Sequence, residues 1–169
     1  SVHNQVGTVV NVSNLYETPA WGFDSETFYN CVLVINTSFS APVILAKVLD
    51  LEERLGRTRS NSNGYQPRVI DIDVIAFNEE VITTENLTVP HPLMQERLFV
   101  LLPMQDLDLD WKHPVFKKNI SELIKDSKDK SICKVIQNLE FPLNKITLQK
   151  FNYIAIEGNI GAGKTSLVN

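Results

Sequence analysis

The chain has few cysteines, no long apolar run and no excess of basic residues. Its two cysteines, Cys31 and Cys133, are too far apart in sequence to indicate a disulfide framework or a metal knuckle. It contains no apolar run of about 18 residues, the length that predicts a membrane span, and its first residues lack a signal-peptide pattern. Its net charge of −4 argues against a broad nucleic-acid surface, which is usually basic. We therefore expect a cytoplasmic protein with reduced thiols that binds neither membrane nor nucleic acid.

Lysine is also missing from the middle of the chain, where arginine takes its place. All five arginines lie in residues 54–97, whereas no lysine occurs between Lys47 and Lys112. A guanidinium binds phosphate oxygens in a bidentate manner and keeps its proton, so this zone indicates a polyphosphate site. Arg54 is better explained by an ion pair on its own helix. The candidates for phosphate contact are Arg57, Arg59 and Arg68.

Two carboxylates interrupt a segment that is otherwise typical of a buried strand. Residues 69–77 are apolar and rich in β-branched side chains except at Asp71 and Asp73. Alternation along a strand places both carboxylates on one face, opposite the face of Ile70, Ile72, Val74 and Ala76. Carboxylates about 7 Å apart along a strand can hold Mg²⁺ together with substrate phosphates.

Two alternatives to a metal pair remain open. An isolated D-x-D motif could lie on a solvated sheet face, although the neighbouring arginines favour the metal. A phosphatase that uses the first Asp as nucleophile would place the pair where a strand ends, whereas residues 74–77 continue the strand.

The order of the remaining elements predicts an α+β fold. Residues 42–55 carry a helical apolar pattern, with Ser40 as a plausible N-cap and Gly56 as the stop. The other predicted elements are strands at 6–16 and 28–37, a polar loop at 60–64, a short strand or turn at 81–82, a lysine-rich connector at 117–130 and a short amphipathic turn at 120–124. This order favours two layers, with helices covering one face of the sheet.

The end of the chain carries a different motif. A predicted strand at 153–157 leads into GNIGAGKT, which satisfies the G-x-x-x-x-G-K-[ST] pattern of a phosphate-binding loop. Its residues are Gly158, Gly161, Gly163, Lys164 and Thr165, of which Thr165 could ligate Mg²⁺. The alternative is a glycine-rich turn. A βαβ unit needs about 30 residues or more, so residues 151–169 are expected to begin a second domain after a first domain at 1–145.

Several short segments between residues 8 and 125 carry a family likeness. They are YETP at 16–19, FYN at 28–30, Glu52 with GRTR at 56–59, PRVIDID at 67–73, LTVPHP at 87–92 and ERLFVLLP at 96–103. In this order they resemble the 6-hydroxymethyl-7,8-dihydropterin pyrophosphokinases of folate biosynthesis. The resemblance implies a ferredoxin-like two-layer fold, ATP as the donor, two Mg²⁺ ions and transfer of pyrophosphate to the pterin hydroxymethyl oxygen.

The resemblance also implies roles for individual residues. Asp71 and Asp73 would hold both metals, and Arg57, Arg59 and Arg68 would contact the ATP phosphates or close loops over them. Glu52, His91 and Arg97 would bind the nucleotide. The pterin would lie near Thr18, Pro19, Asn30, Tyr65 and Phe99, with Tyr65 where the family usually has tryptophan.

The sequence departs from the family in three places. Gly64 replaces a loop arginine, and Asn86 replaces a basic residue. The family opens with a strand ending in Gly-Ser-Asn that is central in its sheet, and no such strand precedes Ser1. We therefore expect the position beside the Asp71 strand to be missing its neighbour, in a fragment clipped at both ends.

Residues 156–165 resemble the opening of the deoxynucleoside kinase family, through IEGNIGAGKT. The resemblance implies a fused deoxynucleoside kinase. The alternatives are an inactive nucleotide-binding fragment, or a nucleoside kinase as the main activity of the parent protein.

Overall fold

The structure, a computed structural model, describes residues 5–19, 27–55, 70–139 and the backbone of residues 152–161. Its strands are β1 Thr8–Val12, β2 Leu15–Thr18, β3 Phe28–Thr37, β4 Asp71–Phe77, β5 Ile82–Thr83, β6 Thr88–Val89, β7 Lys134–Gln137 and β8 Asn152–Gly161. Its helices are α1 Ala41–Arg54, α2 Leu98–Asp106 and α3 Ile120–Asp126, with a 3₁₀ turn at Met94–Glu96.

The main sheet is antiparallel and has the order β4-β8-β3-β2-β7. Strand β1 pairs with β3 as well, beyond the part of β3 that pairs with β2. Strands β5 and β6 form a separate two-stranded ribbon. The structure therefore places β8, from the C-terminal segment, between β3 and the Asp-bearing strand β4, where we expected the neighbouring strand to be missing.

Helices cover both faces of the sheet, so the predicted two-layer arrangement is wrong. One buried cluster joins α1 residues such as Ile44 and Val48 to Ile35 of β3. A second cluster joins residues of α2 and α3, among them Val100 and Leu123, to Val34 of β3. Neighbouring residues on a strand face opposite ways, so the two clusters lie on opposite sides. The described residues form a three-layer mixed α/β arrangement.

Helix α1 confirms the helix predicted at residues 42–55. Proline occupies its first turn, where the missing N–H costs no hydrogen bond. Ser40 is the N-cap residue by backbone conformation, but its side chain makes no capping hydrogen bond. Arg54 pairs with Asp50 one turn earlier, at 2.7 Å, on the exposed side of the helix. Gly56, the predicted stop, lies outside the described residues.

Two strand predictions differ from the structure. Residues 6–16 divide into β1 and β2 because Ser13 interrupts them: Ser13 Oγ accepts a hydrogen bond from Val32 N, and Ser13 N donates to Val32 O, both at 2.9 Å. Strand β7 falls just beyond the predicted connector and was not predicted. All four of its residues are exposed, and its backbone pairs with β2 at the sheet edge.

A bulge in β4 changes which residues face α1. The pairing with β8 shifts register between Val74 and Ala76. Ile72 and Val74 join the α1 cluster as predicted, but Phe77, and not Ala76, is the next residue of β4 in that cluster. A bulge inserts one residue and so reverses the alternation beyond it.

Among the described residues, no helix combines the length and the apolar character needed to cross a bilayer. The two cysteines are thiols, as expected. Burial, with a contribution from Asp129, raises the pKa of Cys133 to about 11, so this thiol stays protonated at neutral pH.

A buried carboxylate attaches α1 to β4. Glu52 is almost fully buried, and its Oε1 accepts a hydrogen bond of 2.7 Å from the backbone nitrogen of Ile72. Strand β4 lies at one edge of the described sheet. Glu52 therefore satisfies the backbone donor that lies between Asp71 and Asp73, the two predicted metal ligands of that strand.

We expect Glu52→Ala to lower the free energy of unfolding by about 1–3 kcal/mol, because it leaves the buried Ile72 N–H without its acceptor. Glu52→Gln keeps an acceptor oxygen and should lose less. Asp50→Ala, on the exposed side of the same helix, should cost less than about 1 kcal/mol. Urea unfolding of the three variants tests this order, and an equal loss for Glu52→Ala and Asp50→Ala would contradict it.

His113 is a second buried polar group with a structural contact. Its Nδ1 accepts hydrogen bonds from Val115 N and Phe116 N, at 3.2 and 3.3 Å. Its ring contacts Trp111 edge to face, at a centroid distance of 5.7 Å. Burial lowers the pKa of His113, so the folded state favours the neutral imidazole.

The folded state should therefore lose stability as the pH falls below about 6.5, the ordinary histidine pKa, because the unfolded chain binds the proton more readily. His113→Asn retains a short side-chain acceptor that does not titrate, and it should weaken this acid dependence. Thermal unfolding between pH 7.5 and pH 5 measures both, with the variant and the wild-type chain compared in the same buffers. An unchanged pH profile in the variant would contradict the assignment.

Candidate active site

The carboxylate pair lies on β4, as predicted. Asp71 and Asp73 lie one residue apart on either side of Ile72, whose side chain packs into the α1 cluster. Alternation therefore places both carboxylates on the opposite face, which is the face of α2 and α3. Both side chains are partly exposed. Two partly solvated carboxylates on one strand face are a donor set that suits a hard cation such as Mg²⁺.

A cross-strand row connects this pair to the residues predicted to hold the pterin. Asp71 lies opposite Asn159 of β8, and Asn159 lies opposite Asn30 of β3. Residues directly opposite in an antiparallel sheet share a face. Asn30 and Asp71 are thus on the same face and two strand spacings apart, a distance of about 10 Å.

Asn30 forms a buried polar contact with Thr18. The two residues are 1% and 2% exposed, and the Asn30 side-chain amide donates to Thr18 Oγ1. Asn30 Oδ1 is buried and has no hydrogen-bond partner among the described residues. An acceptor in this state is costly unless another donor satisfies it. Pro19 follows Thr18 directly and is exposed.

His91 and Arg97 lie beside the carboxylate pair. Arg97 Nη1 is 3.8 Å from Asp73 Oδ2, with the arginine side chain 17% and the aspartate side chain 38% exposed. His91 is tied to β4 by a hydrogen bond of 2.8 Å from its backbone nitrogen to Ile75 O. Its Nδ1 accepts from Leu93 N at 3.2 Å. In the neutral imidazole the other nitrogen, Nε2, therefore carries the proton.

Opposing charges act on His91. Burial lowers its pKa, Asp73 raises it, and Arg97 lowers it further, with a net lowering. His91 is therefore neutral at pH 7 and can donate one hydrogen bond through Nε2. The predicted nucleotide ligands His91 and Arg97 are thus brought together with Asp73, a predicted metal ligand.

Phe99 lies in the first turn of α2, next to Arg97. The Arg97 guanidinium carbon is 5.6 Å from the Phe99 ring centroid, which is within the range of a cation–π contact. The turn is held by Asp129, whose Oδ2 accepts from Leu98 N at 2.9 Å. Asp129 lies in the segment interpreted as a connector, and nothing in its sequence surroundings indicated this role.

Tyr16 belongs to the YETP segment of the family likeness, and it connects a strand to a helix in the structure. Its hydroxyl donates to the Asp106 carboxylate at 2.9 Å, which joins β2 to the end of α2. Burial, together with Asp106, raises the pKa of Tyr16, so the phenol stays protonated. The contact holds the strand of Thr18 against the helix of Phe99.

Other predicted site residues are placed differently or not described. Glu52 contacts the β4 backbone, and its nucleotide role stays a prediction. Arg57, Arg59, Tyr65 and Arg68, and also Gly163, Lys164 and Thr165, lie outside the described residues. Gly158 and Gly161 begin the predicted phosphate loop. In the structure both lie in β8, which pairs with β3 as far as Gly161.

Within the described part of the chain, no three or more Asp, Glu, His or Cys side chains cluster to form a metal site. A cation at Asp71 and Asp73 could take further oxygen ligands from water or substrate. This matches Mg²⁺, which usually keeps several waters and binds phosphate oxygens alongside one or two carboxylates.

Comparison with known protein families identifies the domain that carries this site. The family model of the 7,8-dihydro-6-hydroxymethylpterin-pyrophosphokinases matches residues 1–109. The chain belongs to this family. It is accordingly a member of a family of ATP-dependent pyrophosphokinases.

Named relatives agree with the family match. The 2-amino-4-hydroxy-6-hydroxymethyldihydropteridine pyrophosphokinase of Aquifex aeolicus is 33% identical over 76% of this chain and 80% of its own length. The Bacillus subtilis protein of the same name is 44% identical over 59% of each chain. The folic acid synthesis protein FOL1 of Dictyostelium discoideum is 39% identical over 63% of this chain, which spans 16% of that protein.

Single charge changes should move the His91 pKa in opposite directions. Asp73→Asn removes a neighbouring negative charge and should lower the pKa, whereas Arg97→Gln removes a positive charge and should raise it. NMR titration of the histidine ring protons in the presence of EDTA measures both shifts, with the signal assigned through His91→Gln. The His113 signal serves as an internal control, and a His91 pKa that is the same in both variants would contradict the described cluster.

Proposed function

We propose that this chain carries a domain that transfers pyrophosphate from ATP to 6-hydroxymethyl-7,8-dihydropterin. The observation that supports the proposal best is the row that sets Asn30 and Asp71 on one sheet face, about 10 Å apart. The buried acceptor at the Asn30 end suits an uncharged heterocycle. The carboxylate pair at the other end suits a polyphosphate bound with metal ions. The family match gives the same pair of substrates.

The carboxylate end would receive the nucleotide. Asp71 and Asp73 would hold two Mg²⁺ ions together with the ATP phosphates, and the ions would supply charge neutralisation for the transferred group. Arg97, 3.8 Å from Asp73, and the Nε2–H of neutral His91 would donate to phosphate oxygens. Arg57, Arg59 and Arg68 are proposed to act on the same phosphates from outside the described residues.

The Asn30 end would receive the pterin. A pterin ring offers amino and ring N–H donors, and Asn30 Oδ1 is a buried acceptor that the described residues leave unsatisfied. Phe99 would provide an aromatic face for the flat ring, and Thr18 holds the Asn30 amide in place. Pro19 and Tyr65 complete the proposed pterin contacts.

The chemical step forms one bond and breaks one bond. The pterin hydroxymethyl oxygen attacks the β-phosphorus of ATP, and the bond from that phosphorus to the α–β bridging oxygen breaks. AMP leaves with the bonding electrons, and the hydroxyl proton is lost to solvent. No covalent enzyme intermediate is needed, so the domain would act by positioning both substrates and neutralising charge.

We propose a deoxynucleoside kinase as a second activity of the parent protein, on the basis of GNIGAGKT at residues 158–165. Kinase transfer leaves ADP, whereas pyrophosphoryl transfer leaves AMP. Nucleotide products formed with deoxynucleosides and with the hydroxymethyl pterin therefore separate the two activities. ADP that depends on neither acceptor would count against the kinase.

Asp71→Asn and Asp73→Asn should each lower pterin-dependent AMP formation by about 100-fold or more, because several kcal/mol of metal charge stabilisation are lost. Asp50→Asn, which changes an exposed ion pair on α1, should leave the rate within about twofold. The measurement is AMP release from MgATP with and without the pterin. Circular dichroism checks that each variant is folded.

Wild-type levels of AMP in both β4 variants would overturn the metal assignment. Absence of pterin-dependent AMP from the wild-type chain would overturn the proposed activity itself. The two outcomes can be distinguished, because the first is seen only if the wild-type chain forms AMP in a pterin-dependent manner and the second only if it does not.

A further inference from the structure

Helix α2 begins after a residue that cannot cap it. Leu98 is the first residue of the helix, and Arg97 occupies the N-cap position before it. Ser, Thr, Asp and Asn are preferred at this position because their side chains accept a hydrogen bond from the first backbone N–H groups. An arginine has no acceptor, and its positive charge lies at the positive end of the helix dipole. The first turn contains no acidic residue either. The start of α2 therefore depends on an acceptor from elsewhere in the chain.

Asp129 supplies this acceptor from a position 31 residues further along the chain. Its Oδ2 accepts a hydrogen bond of 2.9 Å from Leu98 N. This nitrogen belongs to the peptide that joins Arg97 to Leu98. The oxygen of the same peptide accepts from the N–H groups of Val100 and Leu101, both at 3.0 Å. Because a peptide is planar, bonding of both polar atoms fixes its orientation and with it the ψ angle of Arg97, which is extended at 102°.

The contact uses both oxygens of the Asp129 carboxylate. Oδ1 accepts from Ser131 N at 2.8 Å, while Oδ2 accepts from Leu98 N. The backbone nitrogen of Asp129 donates to Ser127 Oγ at 3.2 Å, in the residue that follows α3. Burial raises the pKa of Asp129, but the hydrogen bonds from Ser131 and Leu98 outweigh it, so the pKa is lowered and the group is ionised at neutral pH. A side chain with a single acceptor oxygen could not keep both contacts.

A cavity lies beside this contact. It has a volume of about 550 Å³ and is lined by Gln95 and Glu96 of the 3₁₀ turn and by residues 126–129. Side-chain packing between the turn and this segment is therefore interrupted, and dispersion contacts are lost where the space is open. The hydrogen bond from Leu98 to Asp129 connects the two segments at this point.

We propose that Asp129 is a positioning residue of the active site, which holds Arg97 in place through the backbone of Leu98. The Arg97 guanidinium is 3.8 Å from Asp73, and its carbon lies 5.6 Å from the centroid of the Phe99 ring. Both side chains leave the backbone next to the nitrogen that Asp129 holds. The effect on nucleotide binding rests on the proposed function, whereas the placement of Arg97 does not.

Hydrogen exchange at the Arg97 Nε–H measures the placement directly. The arginine side chain is 17% exposed, so this proton should exchange slowly in the folded chain. In Asp129→Ala it should exchange about tenfold faster, because the side chain opens to solvent more often. Nitrogen–proton NMR without nucleotide measures the rate, with the signal assigned through Arg97→Gln.

Asp126→Ala is the matched control for the exchange experiment. The Asp126 carboxylate belongs to the same segment, but it pairs with Lys118 on the surface, at 2.6 Å. Exposed ion pairs contribute little, so the exchange rate at Arg97 should stay within about twofold of the wild-type rate.

Asp129→Ser protects the test against an alanine variant that fails to fold. The serine side chain is polar but shorter and has one oxygen, so it cannot keep both contacts of the carboxylate. Circular dichroism checks that each variant is folded. Wild-type exchange at Arg97 in the folded Asp129→Ala or Asp129→Ser chain would overturn the proposal.

Nucleotide binding tests whether Asp129 acts through Arg97. Calorimetry measures the Kd of a non-hydrolysable ATP analogue with Mg²⁺. Asp129→Ala should raise this Kd about tenfold, the factor expected for a charged hydrogen bond. In an Arg97→Gln background the same substitution should change it less than about twofold, because the residue it positions is already absent. Equal losses in both backgrounds would show a general effect on the fold and would overturn the positioning role.

The proposed function can fail separately from this inference. Wild-type affinity for the analogue in Arg97→Gln would overturn the proposed nucleotide role of Arg97, and the exchange rates would still decide whether Asp129 positions it. Neither measurement uses the pterin, so the absence of pterin-dependent AMP would leave both results unchanged.

Discussion

The ladder that β8 forms with β3 and β4 is the interaction on which the site geometry depends. It connects the strand of Asp71 and Asp73 to the strand of Asn30 and fixes their common face. The carboxylates gain a second support from Glu52, which accepts from the Ile72 backbone between them. The proposed metal position is thus held by a sheet ladder on one side of β4 and by a helix contact on the other.

Two residues from outside β4, His91 and Arg97, determine the charges around Asp73. His91 is tied to Ile75 by its backbone, and Arg97 precedes helix α2, whose first turn is held by Asp129. Burial lowers the pKa of His91, which favours its neutral form. Among the described residues, the site therefore combines one arginine, one neutral hydrogen-bond donor and two carboxylates. This combination of charges suits a polyphosphate that is bound together with a metal ion.

Local patterns in the sequence predicted the elements whose determinants are local. Strand β3 and helix α1 were found nearly to the residue, and Asp71 and Asp73 were separated from Ile72 and Val74 by simple alternation. The three-layer arrangement could also have been inferred, since residues 31–35 are continuously apolar, which is typical of a strand buried on both faces. Strand β7 offers no such signal, because its four residues are all exposed.

Long-range contacts could not be predicted in this way. Nothing near Glu52 in sequence indicates the Ile72 backbone, and nothing near Asp129 indicates the start of α2. The C-terminal segment is ambiguous for a different reason: YIAIEGNIG at residues 153–161 satisfies both a β pattern and the opening of a phosphate loop. Pairing partners far away in the chain determine which conformation it takes.

The proposed metal pair on β4 and the proposed pterin pocket at Asn30 lie on one sheet face, with β8 between them. Paramagnetic broadening by Mn²⁺, with a non-hydrolysable ATP analogue, tests it most directly through the NMR signals of the Asn30 side-chain amide and of His113. We expect strong broadening at Asn30, which lies about 10 Å from Asp71. His113 contacts Trp111, which bonds to Asn78 beyond the far end of β4, so its signal should persist. Broadening of His113 with a sharp Asn30 signal would contradict a metal position at Asp71 and Asp73 on the face of Asn30.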